Sequence, residues 1–201
     1  LSSEEKELVG LGGVARDLLL AHAHDSALEE FIRARDLELL ALLRDSSAAC
    51  SAAALLHRNP NLQICAAALR VIALSGDAVA ASAVREFFGR PGIQTKRLLW
   101  TMAMLGNENS REEYIALVDA LVRMRHDRES LSEDAKRLPR MTGWWRIELK
   151  ECPNALASDL EEDLADLALL RIPQTVPVLI DGLSHIRPEI AEMCANLLGQ
   201  V

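Results

Sequence analysis

The sequence predicts an all-α fold in which short helices stack in pairs along the chain. Half of its 201 residues are apolar, with Leu and Ala dominant, while only three Phe, three Trp and one Tyr are present. Runs of β-branched residues are scarce, which favours helices over strands. In addition, Leu43, Leu74 and Leu105 recur every 31 residues, and a period of this length is typical of a two-helix repeat.

The N-terminal region has the periodicity of two amphipathic helices. Ser2 or Ser3, followed by acidic residues, has the character of an N-cap and predicts a helix over 4–21, interrupted by the glycines at 10, 12 and 13. A second helix is expected over 26–44. Its predicted buried side consists of Leu28, Phe31, Ile32, Leu39, Leu42 and Leu43.

Two complete helical pairs follow. The first pair is predicted over 47–57 and 62–74, with the turn RNP at 58–60 between its helices, and the second over 78–88 and 93–105, with GRPG at 89–92. The strings LSGD at 74–77 and LGNE at 105–108 each end one pair and start the next. A further helix is expected over 111–126.

The repeat pattern breaks after this helix. Residues 127–155 are polar, contain Pro139 and Pro153, and include the string MTGWWRIELK at 141–150, which matches neither neighbour. We therefore expect one domain over 1–201 with an insertion at 127–155 inside a repeat. Helical periodicity resumes over 155–170. The chain begins with Leu1 rather than Met, so a fragment of a longer repeat protein stays an open alternative.

The C-terminal stretch carries the clearest repeat. It reads TVPVLIDG at 175–182 and LSHIRPEIAEMCANLLG at 183–199, where Pro177 and Pro188 each open a helix. This pattern resembles a HEAT repeat of the kind found in phycobilisome-lyase-like proteins, except that Ala191 stands where that family usually has Arg. The resemblance implies an α-α superhelix of roughly five helical pairs with a long concave face for binding. An unrelated helical bundle is the competing fold.

Charge and cysteine content restrict the function. The net charge of -8 disfavours non-specific binding to nucleic acid or to an anionic bilayer and favours a protein partner with a basic surface. The four cysteines lack C-x-x-C spacing, and Cys50, Cys65 and Cys194 lie in predicted apolar helices, which indicates reduced core residues and a cytoplasmic location. No apolar run reaches the ~20 residues that span a bilayer, and the N-terminus lacks a signal pattern.

The first candidate binding feature is an acidic ridge on the predicted helix over 155–170. Asp159, Glu162, Asp163 and Asp166 have i, i+3, i+4 and i+7 spacing, so they share one face. In the resembling family this second-helix position lines the concave side. The functional interpretation is a docking stripe for Lys or Arg side chains of a partner, and the alternative is an ordinary solvated helix face.

The second candidate is the predicted insertion. Trp144 and Trp145 are adjacent, so in a regular structure at least one is expected to point away from whatever the other packs on. Arg140 and Arg146 flank them. This pattern predicts a partner-binding protrusion formed by Trp144, Trp145 and Arg146, or a lid over the groove. The alternative is a loop that caps a gap in the helical stack.

The sequence does not indicate catalysis, a metal or a cofactor. The histidines lack ligand spacing and no His is followed by Glu, and no P-loop or nucleotide-binding glycine pattern is present. HEAT-like DNA glycosylases suggest an alternative function in which Trp100, Trp144, Trp145 and Asp159 would contact DNA, although the ridge has the wrong sign for phosphate. We therefore predict a non-catalytic, cytoplasmic scaffold or adaptor, with an immunity-type inhibitor of a basic protein as one form of it.

Overall fold

A computed structural model describes residues 10–58, 61–77, 79–87, 95–123, 160–185 and 187–200. Within these ranges the chain forms ten α-helices and one 3-10 turn, Pro173–Thr175, and no strand. The helices are α1 (Gly13–His24), α2 (Glu30–Leu43), α3 (Ser46–Arg58), α4 (Leu62–Ser75), α5 (Ala80–Arg85), α6 (Thr95–Met104), α7 (Glu108–Arg123), α8 (Leu160–Leu169), α9 (Val176–Gly182) and α10 (Pro188–Leu198).

Contacts group the chain into two compact units, Leu1–Asn107 and Glu108–Val201. In the first unit, consecutive helices form the pairs α1 and α2, α3 and α4, and α5 and α6. The first helices of these pairs pack in a row, α1 on α3 and α3 on α5. The second helices form a parallel row, α2 on α4 and α4 on α6. Each pair therefore buries its apolar faces against the next pair.

The second unit repeats this arrangement. Its pairs are α7 with α8 and α9 with α10, and the first helices α7 and α9 pack on each other, as do the second helices α8 and α10. The predicted all-α fold of serially paired helices is confirmed within each unit, and the described helices form five pairs. The predicted insertion at 127–155 lies outside the described residues, and the single domain over 1–201 stays a prediction.

Several helix boundaries differ from the expected ones. The described part of the first helix is Gly13–His24, which ends three residues beyond the predicted end. The helix predicted over 78–88 is only Ala80–Arg85. In the C-terminal repeat, Pro177 and Pro188 lie at the starts of α9 and α10, as expected. Proline is tolerated there because the first N–H groups of a helix have no partner within the helix.

The connections between pairs share one backbone conformation. Arg44, Gly76 and Gly106 follow second helices and adopt left-handed φ angles of 51°, 70° and 87°. Asp45 and Asp77 come next, and their Oδ1 atoms accept hydrogen bonds from the backbone N–H two residues on, at 2.8 and 2.9 Å. A left-handed residue thus follows each of these helices, and after the first two of them an Asp precedes the next helix. The predicted turn at 74–77 has this structure.

The core of the first unit is aliphatic and rich in alanine. On α3 the buried face consists of Ala48, Ala49 and Ala52 together with Leu55 and Leu56. Small side chains on one helix let its neighbours approach closely, so that the larger side chains of α4 fill the remaining space. The buried side chains of α4 are Ile64, Cys65, Ala67, Ala68, Leu69, Val71, Ile72 and Ala73.

Close approach is also visible between α9 and α10. A Cβ atom placed on Gly182 would overlap Sγ of Cys194 and lie 3.8 Å from Cγ1 of Val122. Gly182 and Cys194 are both buried. Only a residue without a side chain fits at this point, so Gly182 fixes the distance between the two helices.

Replacing Gly76 tests the left-handed turn. We expect Gly76→Ala to lower the free energy of unfolding by about 1 kcal/mol, because an L-residue at this φ is strained while no heavy atom lies within 4 Å of the new Cβ. Gly13→Ala is the matched control in the same unit, since its Cβ also meets nothing within 4 Å and its φ is not positive. Urea denaturation followed by circular dichroism measures both. Equal stability of the two variants would contradict the role of the turn.

Replacing Gly182 tests the α9–α10 contact. We expect Gly182→Ala to destabilise the protein by roughly 1–3 kcal/mol, because the added methyl group overpacks the interface. The double variant Gly182→Ala/Cys194→Ala should recover part of this loss, since it removes the sulfur that the methyl group would meet. Additive effects in the double-mutant cycle would show that this steric contact does not limit the approach.

Candidate functional site

The acidic ridge predicted from the sequence is not one exposed face. Glu162 is exposed, whereas Asp163 and Asp166 are only 5% and 2% exposed, and Asp159 lies outside the described residues. The reason is that α8 packs against both α7 and α10, so its buried arc is wider than the leucine stripe. The prediction that Asp163 and Asp166 project from an exposed face of the helix is therefore wrong.

The surroundings of Asp163 are part of the helix pairing. Tyr114 on α7 is buried, and its hydroxyl donates a hydrogen bond of 3.2 Å to the backbone oxygen of Asp163. Asp163 and Asp166 also take part in further interactions, so neither is free. Buried, engaged carboxylates of this kind are expected to contribute to the interior of the unit rather than to an external contact.

A different set of carboxylates is exposed on the second helices of this unit. Glu161 and Glu162 lie on α8, and Glu189 and Glu192 lie on α10, the helix packed against it. We call these four side chains the acidic surface. Arg187 lies between the two helices, with Nη2 2.7 Å from Oε1 of Glu161 and Nε 4.0 Å from Oε2 of Glu189.

The charge balance of this region is strongly negative. Residues 160–200 contain seven acidic side chains and only two basic ones, Arg171 and Arg187, apart from His185. Clustered charges of one sign produce a field that attracts an oppositely charged partner. The sequence interpretation missed Glu161, Glu189 and Glu192 because it considered one helix alone. The repeat spacing places α10 beside α8 and could have predicted their proximity.

The remaining candidate residues are those of the predicted insertion and Trp100. Trp144, Trp145 and Arg146 lie outside the described residues, so their binding role stays a prediction. Trp100 is fully buried, with the guanidinium carbons of Arg70 and Arg97 at 5.6 and 5.5 Å from its ring centre. Such cation–π packing stabilises an interior aromatic ring. The role of Trp100 as an exposed DNA contact is therefore wrong.

The described histidines have ordinary polar contacts near helix ends. Nδ1 of His22 lies 3.1 Å from Oδ2 of Asp36, and Nε2 of His57 lies 3.8 Å from Oε2 of Glu86. Among the residues that the structure describes, no group of three or more His, Cys, Asp or Glu side chains is placed to hold a metal ion. Partial burial lowers the pKa of His24, which is otherwise exposed at the end of α1, and the positive charges of Arg58 and Arg33 lower it further.

The described cysteines form no disulfide, and only two of them are core residues. Cys65 and Cys194 are buried, as predicted, and burial raises the pKa of the Cys194 thiol. Cys50 is exposed, with Sγ 3.9 Å from Oδ2 of Asp77, so its prediction as a core residue is wrong. Across the described segments, no helix is both long and apolar enough to cross a membrane.

Comparison with known proteins gives little sequence similarity. No family model and no curated protein matches the sequence. Among solved structures, a chain in the complex of CpcE and CpcF of phycocyanin lyase from Nostoc sp. PCC7120 is similar at 17% identity and a TM-score of 0.48, covering 99% of this chain and 90% of that one. The matched protein is of the class that the C-terminal repeat resembles.

This comparison corrects one prediction. The chain was expected to lack enzymatic activity, but the matched structure is that of a lyase, so the expectation of a non-enzyme is wrong. What the packing establishes is a helical-repeat scaffold, formed by paired helices in each unit.

The depressed pKa of His24 predicts a contribution to pH dependence. Because protonation is disfavoured in the folded state, the unfolded chain binds more protons, and stability falls as the pH drops below the ordinary histidine pKa of about 6.5. We expect His24→Gln to lose less stability than the wild type between about pH 7.5 and 5.5. Urea denaturation across this range measures the difference. Parallel pH profiles would contradict it.

Proposed function

We propose that this chain is a scaffold that binds another protein through the acidic surface of its second unit. The observation that carries the proposal is the placement of four exposed glutamates on two packed second helices, with Arg187 as the basic side chain between them. A partner with exposed Lys or Arg side chains is the chemistry that this surface fits.

All four glutamates of the acidic surface are proposed contacts. Arg187 pairs with Glu161 and lies at the limit of ion-pair distance from Glu189, so it offsets part of the negative charge of this surface. Exposed pairs of this type contribute up to about 1 kcal/mol each and are screened by salt. Their main effect is expected on the association rate and on the choice of partner rather than on affinity alone.

The proposal includes a second contact region, which consists of Trp144, Trp145 and Arg146. Adjacent tryptophans flanked by arginines are typical of interface anchors. An adaptor and an immunity-type inhibitor of a basic protein are both compatible with an acidic binding surface. A cytoplasmic location is supported by the buried thiols of Cys65 and Cys194.

Binding through the acidic surface is compatible with a chemical reaction on the bound protein. A nucleic-acid enzyme gains no support from the site, because the exposed second-helix surface of the second unit is acidic and the indole of Trp100 is buried. Phosphate groups would be repelled by this surface unless a basic track were present beside it.

Charge reversal on the acidic surface tests the proposal. We expect Glu162→Lys/Glu192→Lys to weaken capture of basic proteins from the extract of the native host by about tenfold at low salt, from roughly 0.7 kcal/mol for each reversed charge. The purified chain is immobilised, captured proteins are identified by mass spectrometry, and the affinity of the most enriched protein is then measured at several salt concentrations.

Glu112→Lys provides a matched control, since Glu112 is an exposed acidic residue on the first helix α7 rather than on a second helix. This variant makes one Glu→Lys change of the same type at a different position and should retain most of the capture. If the double variant binds as tightly as the wild type, or if the control weakens binding equally, the acidic surface is not the binding site. Circular dichroism confirms that all variants keep their helicity.

A further inference from the structure

We draw no further inference here: the strongest candidate, the face of the second helices α4 and α6 on which the guanidinium groups of Arg70 and Arg97 lie beside the buried ring of Trp100, carries none, because both arginines take part in further interactions and the described residues do not show what covers this face.

Discussion

A short helix with one apolar side has no stable place in water except against another helix. This constraint decides the organisation of both units. The described helices have 6 to 16 residues, and isolated helices of such lengths are marginal even in favourable sequences. Pairing leaves each hairpin with uncovered apolar surface, and stacking the next hairpin on it covers that surface. The two rows of packed helices in each unit follow from this requirement.

The regularity of the stacking depends on the turns between pairs. A left-handed residue ends each of three successive second helices, and glycine occupies two of these positions, Gly76 and Gly106. Arg44 takes the same conformation without being glycine, so the position is set by the geometry of the repeat and not by the residue alone. In the first two turns, the Asp that follows accepts a hydrogen bond from a backbone N–H near the start of the next helix.

The sequence was sufficient for the fold class because its signals are local. The prolines 177 and 188 and the LSGD turn act within a few residues, and the 31-residue spacing of Leu43, Leu74 and Leu105 indicates that such short segments repeat along the chain. Burial on a helix that packs on two sides is not local. Asp163 and Asp166 have the spacing of a solvated face, and only the positions of α7 and α10 around α8 show that they are buried. The opposite difference occurs at Cys50. Its apolar neighbours in the sequence predict burial, but it lies on the exposed side of α3.

The serial arrangement also has a consequence for the order of folding. In the first unit the helices of a pair are joined by short connections, such as the three residues between α3 and α4, so their contacts form early and folding can spread from any pair. In the second unit, 36 residues separate the end of α7 from the start of α8. The helices α9 and α10 are joined by only five residues, 183–187. Because contacts between residues close in sequence form before those between distant residues, we expect the α9–α10 hairpin to form before the pairing of α7 with α8.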